Sequence, residues 1–230
     1  AVWRLLRKEG IQLCRKRSWC VSTDPQFVAK STDIIGLYLN PPFNAIVISV
    51  DEKPSMQALE RQTGYVTVKN GKIVRAYKST YKRHGTLNLF AALDVATGKV
   101  FGKVTKEKKR PDFNLFLDEI ITELPEGREI HVILDNYCTH KKNEEWLQKH
   151  PNVYFHFTPT SASWLNQIEI WFGIFSRKVL RGAGFENIAK LRNAIESYIE
   201  YYNKSPRPFA WKKREVKGSQ LRDTIAKLRY

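Results

Sequence analysis

The sequence predicts an α/β domain, and three observations carry that reading. After Pro42 strand-like runs come first, strands then alternate with helical patterns, and the chain ends in helices. Hydrophobic residues make up 42% of the 230 and aromatic residues 12%, enough for a sizeable core and too many for a disordered chain. Two apolar runs rich in β-branched residues, A-I-V-I-S-V-D and E-I-H-V-I-L-D, each close on an aspartate, Asp51 and Asp135. The length fits one large domain, alone or with a short appendage.

Residues 2–9 read as a short helix closed by Gly10, with Arg15, Lys16 and Arg17 following. This is either the end of a basic DNA-binding unit or a surface helix. A second helix spans 24–39, opened by Asp24-Pro25 and stopped by Asn40-Pro41-Pro42. Residues 45–50 form a central strand. Loose alternation over 64–77 around Asn70-Gly71 marks a hairpin. Residues 87–95 and 99–104 flank A-T-G as a second hairpin. Phe113, Phe116, Leu117, Ile120 and Ile121 recur at helical spacing. A strand over 130–135, a short polar helix over 141–149 and a strand over 153–157 come next. Two helices finish the pattern: 164–179, with Ile168, Phe172, Phe175 and Val179 in one stripe, and 188–202, with Ile188, Leu191, Ile195, Ile199 and Tyr202.

The formal net charge of +16 points to a nucleic-acid or other polyanionic partner. It makes a glycosidase, which paired carboxylates would otherwise suit, a poor fit. No apolar run approaches the roughly 18 residues of a membrane span, and the N-terminus has no apolar signal core. A cytoplasmic protein without a membrane partner is expected. Cys14, Cys20 and Cys138 are an odd count without metal-ligand spacing, so they read as reduced thiols and not as a zinc site.

A carboxylate beside much buried apolar surface is costly to ionise unless a cation or hydrogen bonds compensate it. Asp51, Asp135 and Glu169, the last within W-L-N-Q-I-E-I-W-F, are three such acids in a basic chain. They suggest a divalent-metal site. Two cations about 3.5–4 Å apart can serve both ends of a phosphodiester displacement, and Mg²⁺ takes only one or two protein carboxylates beside water and phosphate. Taken singly, Asp51 reads equally well as a strand-end acid and Asp135 as a turn residue capping the next helix. For Glu169 an exposed salt bridge is the weaker reading. Alternation sends Glu52 to the opposite sheet face, and Asp94 reads as a hairpin residue.

At these residues the chain resembles DDE transposases of the mariner-like superfamily, and within them the bacterial insertion-sequence 630 group. S-V-D-E-K at 49–53 is similar to the first-aspartate motif, L-D-N-Y-C-T-H-K at 134–141 to the second, and P-T-S-A-S-W-L-N-Q-I-E-I-W-F at 159–172 to the third. Glu169 lies 34 positions after Asp135. F-A-A-L-D-V-A-T-G-K-V at 90–100 and Y-Y-N-K-S-P-R-P-F-A-W-K at 201–212 also look like this group. The resemblance implies a ribonuclease-H-like mixed sheet flanked by helices, with Asp51, Asp135 and Glu169 as catalytic metal ligands for two Mg²⁺ or Mn²⁺ ions. It implies cleavage of transposon ends and joining of the freed 3′-hydroxyls to target DNA at TA, by at least a homodimer, in a nucleoid-associated bacterial protein. It also implies that residues 1–40 are the remnant of a helix-turn-helix DNA-binding region and its linker, and 41–230 the catalytic domain. A nuclease without strand transfer and a domesticated DNA-binding protein are the alternatives.

Basic blocks are the candidate DNA contacts: Arg15, Lys16 and Arg17; Lys78, Lys82, Arg83 and His84; Lys108, Lys109 and Arg110; and K-K-R at 212–214. The second and third are favoured because they lie within the catalytic unit. Asn136 and His140 join them, with a plain helix-start role open for His140. Trp164 and Trp171 flank Glu169; core packing is the default for both, and base stacking the alternative.

Overall fold

A computed structural model describes residues 22–78, 80–136, 140 and 143–210, without the side chains of Thr63, Arg75 and Tyr77. The helix expected over 2–9, the basic residues Arg15, Lys16 and Arg17, the three cysteines and the triplet at 212–214 lie outside the described residues.

β-branched residues set strand β1 (Ala45–Glu60) at the centre of the sheet. Its alternation divides the core. Ile46, Ile48 and Val50 pack with Phe90, Phe113, Phe116 and Leu134 on one side, and Val47 packs with Ile34, Leu37, Ile133 and Leu165 on the other. β1 pairs antiparallel with β4 (Lys82–Asp94) and parallel with β6 (Glu129–Leu134). β5 (Val100–Thr105) adds antiparallel to β4, and β7 (Val153–Phe157) parallel to β6, giving the order β5-β4-β1-β6-β7. β2 (Thr63–Thr67) and β3 (Ile73–Tyr77) form a separate hairpin that turns at Gly71, whose φ of 77° suits glycine.

Helices cover both faces. α2 (Arg110–Glu123) buries Phe113, Phe116, Leu117 and Ile120, and the short α3 (Glu144–Lys149) adds Trp146. Opposite them, α4 (Ile168–Phe175) and α5 (Ile188–Asn203) bury Trp171, Phe175, Leu191 and Ile195 against Leu89, Ala91 and Leu93 of β4. Each such large side chain contributes about 1.5–3 kcal/mol when fully buried. α1 (Phe27–Leu39) lies on Val47 and Ile133 through Ile34 and Leu37. Asn203, at the end of α5, brackets Val100 of the edge strand: its Oδ1 accepts the Val100 N–H at 2.9 Å and its Nδ2 donates to the Val100 carbonyl at 2.7 Å.

Two elements differ from the sequence expectation. β1 does not end near Asp51 but runs on to Glu60, because β4 continues to pair with it. Register shifts absorb Pro54 and Ser55; Ser55 has φ 54°, and its N–H donates to Asn88 Oδ1 at 2.9 Å. The single helix expected over 164–179 is three pieces: a 3-10 turn (Ser163–Leu165), α4, and a π turn (Ser176–Leu180). The chain is extended at Asn166, with ψ 110°, where its side chain bonds to β1. Asp94 is a hairpin residue as expected, accepting from the Ala96 and Thr97 N–H groups and the Thr97 hydroxyl.

Candidate active site

The parallel register of β1 and β6 brings two acids together. The pairing ends at Ser49 opposite Ile133. Asp51 comes two residues further along β1, and Asp135 comes two residues after Ile133, just past the end of β6 and near enough for its charge to act on Asp51. Asp51 has β4 on one flank, and on the other the gap left where β6 has stopped.

Asp51 is 5% exposed. Burial, the charges of Asp135 and Glu52, and more weakly that of Glu169, push its carboxyl up to about 8, against the pull of the Glu52 N–H that it accepts at 2.8 Å. Glu169 lies in the first turn of α4. Burial raises it too; Lys53 opposes that shift, while Asp135 and Glu52 add to it. Each of these acids therefore feels the other's neighbours, as members of one cluster do.

Asn166 fixes Asp51 relative to the third acid. Its Nδ2 donates to the Val50 carbonyl at 2.9 Å and approaches Asp51 Oδ2 at 3.4 Å, and its Oδ1 accepts from the Ser49 hydroxyl. Asp135 is held by His140, whose Nδ1 is 2.8 Å from its Oδ1. His140 Nε2 lies 3.2 Å from Glu52 Oε2, and Glu52 Oε1 is 3.6 Å from Lys108 Nζ. Burial alone would lower the imidazole, but Asp135 and Glu52 outweigh it and raise it to about 9. His140 thus bridges two carboxylates that favour its protonated form. Glu52 faces the α2 side as alternation requires, yet its carboxylate still reaches the site through this histidine.

The other candidates are dispersed. Lys108 and Lys109 precede α2, and Arg110 opens it; Lys109 also pairs with Glu107 at 2.7 Å. Lys78, Lys82 and Arg83 are exposed where the β2–β3 hairpin joins the sheet, and His84 pairs with Glu60 at 2.7 Å. Asn136 donates to the Thr158 carbonyl. His140, expected at a phosphate, is fully buried. Trp171 is a core residue stacked on Phe175, whereas Trp164, expected in the core, is 53% exposed because the 3-10 turn aims it outward while burying Leu165. Sequence reading misses Ser49, Lys53 and Asn166. Lys53 and Asn166 lie inside the S-V-D-E-K and L-N-Q-I-E segments, and adjacency to the acids is the only signal they carry.

Among the described residues no three acidic, histidine or cysteine side chains are already arranged to hold a metal ion. The donor chemistry nevertheless suits a hard divalent cation, since Mg²⁺ completes its shell with water and phosphate. Burial and the neighbouring acids disfavour the charged form of Asp51, a cost that a divalent cation held there would offset.

A five-stranded mixed sheet in this order, with helices on both faces, is a ribonuclease-H-like fold. Within that class, the family described as DDE superfamily endonuclease matches residues 47–192, and the chain belongs to it. The chain superimposes on the Mos1 strand transfer complex with TM-score 0.59 at 14% identity, covering 89% of this chain and 64% of that one. A simian T-cell lymphotropic virus intasome in complex with PP2A regulatory subunit B56 gamma aligns at 15% identity over 69% of this chain and 58% of that one, with TM-score 0.33. No curated protein sequence matches. No helix among the described residues is long and apolar enough to cross a membrane.

Proposed function

We propose that this chain is the catalytic part of a DNA transposase of the insertion-sequence 630 type, which cuts transposon ends and joins them to target DNA at TA. The observation that carries the proposal is the register that sets Asp51 beside Asp135, with Glu169 in electrostatic reach. Family membership supports it. So does the likeness to a complex captured in strand transfer, although the chain spans only 64% of that relative.

Asp51, Asp135 and Glu169 would hold two Mg²⁺ or Mn²⁺ ions. When bound, the ions would activate the attacking oxygen and stabilise the leaving one. The protein's own groups set the geometry. Asn166 turns Asp51 inward, and His140 fixes the rotamer of Asp135 and neutralises part of the acid cluster. Lys78, Lys82, Arg83, Lys108 and Lys109 supply phosphate contacts along the approach to the site. In cleavage, water attacks phosphorus and the 3′-oxygen leaves. In joining, that 3′-hydroxyl attacks a target phosphodiester, so one P–O bond forms as another breaks. Two ends must react together, which requires at least two copies of the chain.

The test is cleavage and joining of end-bearing duplexes with Mg²⁺ or Mn²⁺. Asp51→Asn, Asp135→Asn and Glu169→Gln should each abolish metal-dependent cleavage while leaving the protein folded. Full cleavage by all three would overturn the reading. Cutting by the wild type without any joined product would reduce it to a nuclease.

A further inference from the structure

Helix α4 has no side-chain cap of its own, although it carries Glu169 in its first turn. Its first backbone N–H groups must therefore find acceptors elsewhere. Two of those acceptors come from distant parts of the chain. The Gln167 N–H donates to the Tyr38 hydroxyl at 3.2 Å, and the Ile168 N–H donates to Ser49 Oγ at 3.3 Å. The next two, Glu169 and Ile170, donate to the carbonyls of Asn166 and Gln167 at 3.1 and 3.0 Å. Tyr38 also donates to the Leu165 carbonyl at 2.8 Å, and its oxygen lies 3.4 Å from Ser49 Oγ. One phenol thus holds both sides of the turn that precedes Glu169. Leu165, Asn166 and Gln167 are all buried, so water cannot replace it there.

Tyr38 belongs to α1, and α1 is tied at two further points to the segment that leads into this turn. At its start, Asp24 accepts the Thr160 N–H at 3.0 Å and pairs with Lys30 at 2.9 Å. At its middle, Asp33 Oδ2 is 2.6 Å from His156 Nδ1. Next to Asp33, Ile34 is fully buried. The helix is fixed along its length to β7 and the loop after it.

We propose that α1 is a strut of the active site, with Tyr38 as a positioning residue that sets where Glu169 stands relative to Asp51. The inference rests on the reading of these acids as a metal site, and does not depend on strand transfer. Ser49 contributes the second half of the device: it bonds Asn166, which bonds Asp51, and it caps Ile168, one residue before Glu169. The separation of the first and third acids is thereby written into hydroxyls on β1 and α1.

The experiment is a Mn²⁺ titration followed by electron paramagnetic resonance, on the full chain with a duplex carrying a cleaved end. Tyr38→Phe keeps the ring and removes the hydroxyl; Ser49→Ala removes the other cap and serves if the first variant folds poorly. Each should weaken Mn²⁺ binding about tenfold or more, the range expected when a group that orients a ligand is removed. Duplex affinity should stay within about twofold, since neither group reaches the basic blocks. Ile120→Val, a core change in helix α2 remote from α1 and its turn, should lower the melting temperature and leave the Mn²⁺ affinity alone, separating positioning from general loosening. Wild-type Mn²⁺ affinity in whichever variant folds would overturn the inference. A wild type that binds Mn²⁺ but never joins strands would sink the transposase reading and leave this one standing. A wild type that binds no Mn²⁺ would overturn both.

Discussion

At the scale of residues, the site is an acid cluster held short of neutrality by the fold. Asp51 is raised to about 8 from its usual position near 4, so its protonated form is favoured in the folded chain. A raised folded pKa gives stability that is complete below the unfolded value and is lost as pH rises through the folded one. For Asp51 that window runs from about 4 to about 8. His140, raised to about 9, loses its contribution between its ordinary value and that pH. Asp51→Asn should therefore melt higher than the metal-free wild type at pH 8, and the gap should shrink with falling pH and close near pH 4. Each kcal/mol regained corresponds to about 2–4 °C in a chain of this size. A gap that widens toward acid pH would contradict the assignment. The three acids are legible in the sequence because apolar runs surround them. Their supports are not: Ser49 meets Asn166 across 117 positions and Tyr38 meets Leu165 across 127, and no local pattern reports such pairings. His140 stands out in the sequence, but its partner Glu52 comes from another strand, so a buried bridge reads there as a phosphate ligand.

At the scale of elements, periodicity identifies most strands and helices because each buries one face. It fails where a tertiary bond overrides a local preference. The stripe from Ile168 to Val179 is real, yet Asn166 breaks the helix before it by bonding β1, and the last turn widens to a π turn. The β4–β5 turn offers a test of how tightly the elements close. Gly98 has φ 76°, and a Cβ there would sit 2.3 Å from the Arg207 carbonyl carbon. Gly127 has a similar φ of 72°, with nothing within 4 Å of its Cβ position. Gly98→Ala should therefore destabilise the protein well beyond Gly127→Ala, for which backbone strain of roughly 1 kcal/mol is the whole cost. Chemical denaturation of the two variants compares them directly. Equal losses would mean that the segment after α5 does not pack on this turn.

At the scale of the whole molecule, a chain of net charge +16 carries an acid cluster at its core, and one basic block touches it where Lys108 lies 3.6 Å from Glu52. Among the described residues the basic blocks lie at the hairpin base and before α2, and Asp51 lies on the sheet's central strand. Affinity for duplex DNA should fall linearly on a log–log plot against salt, with a slope of about 0.9 per phosphate neutralised. Lys82→Ala combined with Arg83→Ala should reduce that slope by about one unit for each phosphate the protein no longer reaches. An unchanged slope would move the DNA path off the hairpin base. The central claim is that Asp51, Asp135 and Glu169 form one metal site for phosphodiester chemistry. Anomalous diffraction at the manganese edge, from crystals grown with Mn²⁺ and a duplex carrying a cleaved end, tests it most directly. The account predicts anomalous density shared by these three carboxylates beside the terminal phosphate. Bound DNA with no such density at them, or density held by other side chains, would contradict it.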